Sequence, residues 1–397
     1  MSKPLEGIRV LDLTNVLAGP FCCHHLAHLG AEVIKVEAAG RGDLARKLGA
    51  DPELNDKGMG VSFLAQNAGK KSVTVNLKHA KGKALFLKLV KTADVLVENF
   101  RPGVMDRLGV GYDTLKQENQ QLIYCAISGF GQDGPWVHRP AYDQIIQGAS
   151  GVMSITGDSE SAPLRVGYPV ADTVGGITAA FAVASALNAK PRGCFLDVSM
   201  LESVLATMGW VVSNYLNAGV EPAANGNENI TSAPSGAFEA GHGLLNIAAN
   251  KDEQWVLLTD HLGLSALRDR PEYATREDRK RNRLALKAEL EIVLKTRPAR
   301  DWAKELNRLG VPSGAVLTVP EVLEMPQVAD RGFLNTFQDV PGVGRDISVT
   351  TTGIKLDGEA PRVDDPPPLL GEHNEEIWTG LGVSEAELAE LQSDGAL

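Results

Sequence analysis

Asp172 stands in the run Gly167-Tyr-Pro-Val-Ala-Asp172-Thr-Val-Gly-Gly176, just before a long apolar stretch, and its carboxylate has two uses there. It is a favoured helix N-cap, and the same N-terminus, through its N–H groups and dipole, would keep it ionised and aimed as a nucleophile. On the residues alone capping is the stronger reading, and the two are compatible. Gly129-Phe-Gly131-Gln-Asp-Gly134 follows a strand-like segment with the glycine spacing that cradles a dinucleotide pyrophosphate when a helix comes next. Pro135 and Pro140 come next instead, so no helix N-terminus is ready for phosphates, and a loop needing glycine freedom is the simpler reading. Ala68-Gly69-Lys70-Lys71-Ser72 ends like an ATP phosphate loop, but Leu64 stands where its first glycine belongs. Without an ATP site, an enzyme that forms an activated acyl compound must draw that activation from another substrate. Cys22, Cys23, His24, His25 and His28 crowd one segment, with His24 and His28 on one helix face. No further ligands follow at a zinc spacing, so no metal is expected, only helix packing with a solvated histidine edge. Arg276, Arg279, Lys280, Arg281, Arg283 and Lys287, interrupted by Glu277 and Asp278, read as the wet face of an amphipathic helix.

The elements that would position these residues alternate. Ile8 to Leu13 reads as a buried strand, Pro20 to Leu29 as a helix closed by Gly30, and Glu32 to Glu37 as a second strand. Strands at Ser72 to Leu77, Asp94 to Glu98 and Leu122 to Ser128, with a helix at Lys81 to Lys91, continue the pattern. Connections too long for hairpins predict an α/β fold, a mostly parallel sheet covered by helices on both faces. Helices are predicted at Thr173 to Asn188 and Met200 to Asn217, joined through a strand at Cys194 to Val198. From Gly219 the texture turns to Gly, Asn, Ala and Pro, a linker. A smaller α+β unit follows, with strands near Leu244 to Ala249 and Trp255 to Thr259 and helices near Arg276 to Leu294 and Asp301 to Leu309. Ser384 with Glu387 forms a capping-box pattern for a last short helix.

Of 397 residues, 43% are hydrophobic and 22% charged, ordinary globular usage with material for two or three domains. Lys and Arg number 39 against 50 Asp and Glu, a net charge of −11. That excludes general binding to nucleic acid or an anionic membrane, since both need a cationic field, and any anionic ligand must be held locally. Four cysteines without a disulfide spacing point to a reducing cytoplasm. The N-terminal MSKPLEGIRV has no secretory apolar region, and the apolar run from Ile177 to Leu187 is too short to span a bilayer. A cytoplasmic protein is expected.

Leu11 to Glu37, Ala93 to Leu115, Ile127 to Gly151 and Pro163 to Gly176, with Pro367 to Asn374 far along the chain, carry a specific likeness. Through them the chain resembles the family III coenzyme A-transferases, the group of formyl-CoA transferase and the carnitine dehydratase/bile-acid-inducible proteins, over essentially its full length. The resemblance implies a Rossmann-like large domain with a parallel sheet, made of residues 1–218 and a returning segment 331–397, a smaller α+β domain with its linkers at 219–330, and an interlocked homodimer. It also reverses the preference at Asp172, which becomes the nucleophile toward an acyl-CoA thioester. A thioester enters and a thioester leaves, so neither ATP, metal nor a tightly bound cofactor is needed, and coenzyme A thioester is a substrate.

By the same resemblance, Val16, Leu17 and Ala18 would line the pantetheine and thioester, and Val75, Lys78, Asn99, Phe100, Arg107 and Leu108 would hold the adenosine-phosphate end. Tyr142 and Asp143 would lie near the nucleophile, Arg139 would reach phosphate or substrate, and Arg41 would compensate for Ala38, which replaces a basic residue of relatives. Leu17 stands where formyl-CoA transferase has glutamine, and Ser232 to Gly243 replaces its glycine-run lid. The donor is therefore open among formyl-, acetyl- and succinyl-CoA, and the acceptor is oxalate or another small dicarboxylate. Racemases of this family place a histidine before the aspartate, where this chain has Ala141-Tyr142-Asp143; an acyl-CoA racemase or isomerase is the first alternative, and a CoA-binding protein without turnover the second.

Overall fold

The computed structural model describes residues 3–397. They divide into two compact units, one comprising the chain through 152, 165–220 and 326–397, the other 153–164 and 221–325. The short excursion at 153–164 lies in a region that the sequence assigns to the large domain.

The larger unit is built on β1 (Arg9–Asp12), α1 (Ala18–His28), β2 (Glu32–Glu37), β3 (Lys70–Thr74), α2 (Ala80–Val90), β4 (Val95–Glu98), β5 (Ile123–Ser128), α3 (Asp143–Ala149), α4 (Val170–Ala186) and β6 (Cys194–Ser199). The six strands form one sheet in the order β3-β2-β1-β4-β5-β6. All pairs are parallel, with Val10 opposite both Val33 and Val95. This is the doubly wound order, and the expected α/β architecture is borne out. Every residue of β4 and β5 is buried, as a sheet covered on both faces requires. One apolar core gathers Cys22, Leu26, Val33, Val97, Ile127, Ala179 and Val183 on the α1 and α4 side. The other gathers Leu11, Ile34, Phe86, Leu96 and Trp378. Strand order reverses between β1 and β4, so the crevice outside their carboxyl ends is where such a sheet binds ligands.

The predicted helix from Met200 to Asn217 is two helices, α5 (Met200–Thr207) and α6 (Gly209–Ala218), parted at Met208 beside a glycine of low helix propensity. In the smaller unit β7 (Ser235–Glu239) and β8 (Leu244–Ala248) pair antiparallel, so Ser235 to Glu239 of the expected lid segment Ser232 to Gly243 form a strand. Trp255 to Thr259, expected as a strand, lies in α7 (Asp252–His261). A five-residue segment of four apolar side chains and a threonine does not reveal its period; the buried set Trp255, Leu258 and Thr259 has helical spacing, and Gln254 closes back on the Lys251 N–H.

The basic run forms α8 (Arg276–Arg281) and α9 (Arg283–Leu294), followed by α10 (Ala299–Arg308) and β9 (Ser313–Ala315). It is not simply a wet face. Arg279 is buried and donates to the Ala233 carbonyl, Arg276 donates to Thr231 and Arg283 to Asn229, so three guanidiniums hold the backbone leading into β7.

Back in the larger unit, β10 (Leu334–Phe337) and β11 (Ile347–Thr350) form a hairpin. The C-terminal helices α11 (Asn374–Gly380) and α12 (Glu385–Ser393) follow, the latter with the expected Ser384/Glu387 capping box. His373 N–H donates to Ser72 and the Asn374 side chain accepts from Thr74 N–H, which covers the open edge at β3.

The expected solvated histidine edge is also corrected: His24 and His28 are buried, because α1 packs against the sheet on one side and α4 on the other. Burial holds both imidazoles below their ordinary range, His28 at about 4. Among the described residues no cluster of metal-ligating side chains occurs.

Candidate active site

The crevice is shaped first by charge. Lys70, the residue of the phosphate-loop look-alike, is buried on β3 and pairs with Asp12 at 2.8 Å. Lys35 on β2 pairs with Asp43 at 2.9 Å and lies 3.8 Å from Asp12. All four side chains are fully buried. Burial opposes the ionisation of Asp12, but the ammonium groups of Lys35 and Lys70 hold its carboxyl well below the usual carboxylate range. A buried pair whose partner is removed leaves an uncompensated charge, so the ion chain fixes β1, β2 and β3 against one another. Lys35 also donates to the Thr14 carbonyl, and the loop after β1 hangs from this network. Its Val16 has φ +66°, a left-handed conformation that a β-branched residue rarely adopts.

The nucleophile candidate is placed by a second carboxylate. The helix predicted from Thr173 starts at Val170, with Pro169 at the N-cap and no side-chain cap from it, and Asp172 falls inside the first turn. The orphan N–H groups of that turn go elsewhere. Ala171 N–H donates to Asp143 Oδ1 at 2.8 Å and Asp172 N–H to the same oxygen at 3.4 Å, while Thr173 N–H makes the first regular helical bond, to the Pro169 carbonyl. Asp143 therefore caps α4 from the first turn of α3, and its other oxygen accepts from the Gln147 amide at 2.6 Å, with Arg165 3.7 Å away. The sequence expected Asp172 to cap and to be kept ionised by doing so. Instead its carboxyl is pushed up to about 7, by burial first and by the neighbouring Asp143 charge second.

Asp172 lines a cleft of about 380 Å³ at the switch point. Of the residues singled out from the sequence, the cleft brings together Val16, Leu17, Ala18, Asn99, Phe100, Tyr142 and Asp172. Asp143 lies beneath it, buried. Arg41, Lys78, Arg107 and Arg139 are exposed outside its lining, Arg139 stacked over the Trp136 ring at 4.3 Å. Val75 is 3% exposed within the second core and Leu108 packs against that core, which leaves the Val75 side chain no surface to offer a ligand. The glycine-rich loop contributes by close approach: a Cβ on Gly129 would come 2.3 Å from that of Ala141, so the glycine lets the cleft floor close.

Sequence reasoning passed over Arg101, Leu44 and Met200, which also line the cleft. Arg101 is exposed and makes no ion pair among the described residues. Its signal was present in Asn99-Phe-Arg-Pro-Gly103, a cation ahead of a Pro-Gly turn at the end of a strand. α1 begins at Ala18 with no side-chain cap from Leu17, leaving first-turn N–H groups beside the cleft for an incoming oxygen.

The sequence model of CoA-transferase family III matches residues 5–374, and the class so defined is the enzymes that move coenzyme A between carboxylic acids. The chain belongs to CoA-transferase family III, as its resemblance implied. It is 42% identical over 335 residues to the acetyl-CoA:oxalate CoA-transferase of Acetobacter aceti, across 83% of this chain and 85% of that protein. To the succinyl-CoA:glutarate CoA-transferase of Mus musculus it is 36% identical, across 94% of this chain and 86% of that one. The crystal structure of a CAIB/BAIF family protein from Brucella suis matches with a TM-score of 0.83 at 34% identity, covering 96% of this chain and 100% of that one.

Proposed function

We propose that this CoA-transferase moves CoA from a small acyl-CoA, such as formyl-, acetyl- or succinyl-CoA, to oxalate or another small dicarboxylate, with Asp172 as nucleophile. The observation that carries the reading is a carboxylate at the mouth of a helix whose capping is done by another residue, facing a cleft with apolar walls and one unpaired guanidinium. An Asp172 oxygen attacks the thioester carbonyl; the C–S bond breaks, leaving a mixed anhydride and CoA thiolate. The thiolate returns to the Asp172 carbonyl, expelling the donor acid and forming an aspartyl-CoA thioester. The acceptor carboxylate attacks that thioester, and the released thiolate takes the acceptor's acyl group, restoring Asp172. The Ala18 and Gly19 N–H groups at the start of α1, beside the cleft wall, are the donors we propose for the oxyanion of each tetrahedral intermediate.

Arg101 supports a dicarboxylate acceptor, since the carboxylate that does not react needs a cation in the cleft. The relatives named for oxalate and glutarate point the same way. At the CoA end we retain Arg41, Lys78, Arg107 and Arg139 as exposed cations for phosphate, and a homodimer as the working assembly. No helix among the described residues is long and apolar enough to cross a membrane, and we place the enzyme in a reducing cytoplasm. A racemase would need an acid–base pair about the α-carbon; the cleft lining carries Tyr142 and no histidine.

The test is chemical. Adding acyl-CoA and quenching with hydroxylamine should convert Asp172 to a hydroxamate, detected by peptide mass. Asp172→Ala should abolish transfer while CoA binding, measured by calorimetry, stays within about threefold of wild type. Transfer surviving in that variant overturns the reading.

A further inference from the structure

Asn99 is a residue that the family resemblance assigns to CoA, yet its amide is engaged within the protein. Its Oδ1 accepts from Asn15 N–H at 2.8 Å and its Nδ2 donates to the Asn15 carbonyl at 2.8 Å. This reciprocal pair grips the peptide just before Val16. On the other side Asp43 Oδ1 accepts from Val16 N–H at 2.9 Å and from Ala45 N–H at 2.8 Å, while its Oδ2 is held by Lys35 at 2.9 Å. Val16 thus sits at φ +66° between two clamps, one from the end of β4 and one from the buried ion chain. Left-handed backbone at a β-branched residue persists only where its surroundings over-determine it, and such outliers gather at functional sites. Immediately after Val16 come the cleft wall, Leu17 and Ala18, and the uncapped start of α1.

We infer that Asn99 is a positioning residue: together with Asp43 it holds Val16 in its left-handed conformation and thereby sets the Leu17–Ala18 wall and the α1 N–H groups against Asp172. The inference rests on the transferase reading, because the consequence of the clamp is read in the transfer step. If the clamp is released, Val16 relaxes to negative φ, where its Cβ is unstrained, and the wall turns with it. Glycine at position 16 has no such drive, because it adopts positive and negative φ about equally.

The experiment is a double-mutant cycle on the full-length enzyme with Asn99→Ala and Val16→Gly, measuring kcat and donor KM for each form. In the Val16 background, Asn99→Ala should lower kcat at least about 20-fold with donor KM changed less than about threefold, because the loss falls on the transition state. In the Val16→Gly background, whatever that substitution does by itself, the same Asn99→Ala change should cost less than about threefold. A direct CoA contact predicts instead an equal loss in both backgrounds, carried by donor KM, and that result overturns the inference, as does an Asn99→Ala enzyme with unaltered kcat. Should Asn99→Ala not fold, Asn99→Asp serves in its place: it keeps the acceptor for Asn15 N–H, loses the donor, and carries the same background-dependent expectation. An active wild type with equal losses in both backgrounds removes the clamp and leaves the function standing. A wild type that transfers CoA from none of the formyl, acetyl and succinyl donors to oxalate, succinate or glutarate removes both.

Discussion

On the proposed mechanism, Asp143 and Asp172 divide two tasks that one aspartate at a helix start would otherwise combine. Asp143 accepts the first-turn N–H groups of α4, and Asp172 is left with a free carboxylate in a partly buried, negatively biased position. A nucleophile must be ionised, and a carboxyl raised to about 7 gains its ionised fraction as pH rises through that value. The rate constant kcat/KM for the acyl-CoA donor should therefore climb with pH, with a midpoint near 7, and then level off. Asp143→Asn keeps an acceptor oxygen for Ala171 N–H and removes the neighbouring negative charge. Its pH–rate midpoint should move to lower pH, because one of the two influences raising Asp172 is gone. Coincident profiles for the two enzymes would show that Asp143 acts only as a cap.

Among the elements, the contact of α1 with α4 decides where Asp172, the proposed nucleophile, meets the wall it would work against. A Cβ on Gly176 would lie 2.5 Å from the Ala18 carbonyl oxygen, and backbone cannot yield as a flexible side-chain end can. Gly176, one turn beyond Asp172, thus lets α4 approach the start of α1 closely. Gly176→Ala should push the helices apart, destabilising the fold by about 1–3 kcal/mol as overpacking does, and should lower kcat by at least about tenfold because the reacting geometry is sensitive to displacements of an ångström. Thermal unfolding together with steady-state kinetics checks both, and a variant with the wild-type kcat would show that this helix spacing is not what aligns Asp172.

For the molecule as a whole, the larger unit exposes large apolar side chains on two helices: Phe181 at 74% on α4, and Trp210 at 69% and Leu216 at 71% on α6. In water such surface is covered by a partner or drives aggregation, and we propose that a second copy covers it here. Light scattering after size exclusion should give twice the chain mass for the wild type. Phe181→Asp combined with Trp210→Asp should shift the protein to the monomer mass, since charge is excluded from the centre of an interface. A wild type running as a monomer at micromolar concentration would overturn the assembly.

Much of this was legible along the chain. Apolar-rich segments marked β1, β2, β4 and β5 within a residue or two, because strands buried on both faces are built mostly from apolar residues, although Asp12 and Lys35 are buried among them. The cleft walls at Val16 to Ala18 and Asn99–Phe100, and Asp172 itself, were legible through family likeness. The α7 helix was not, because the short run Trp255 to Thr259 carries no clear period. Nor was the assignment of tasks between partners distant in sequence. Lys70 and Asp12 are 58 positions apart and Asp143 and Ala171 are 28 apart, and which buried charge neutralises which, or which carboxylate caps whose helix, is fixed only when folding brings them within hydrogen-bond reach. Local periodicity and propensity fix the elements; the free carboxylate of Asp172 exists because a residue from another helix satisfies the N–H groups it would otherwise have capped.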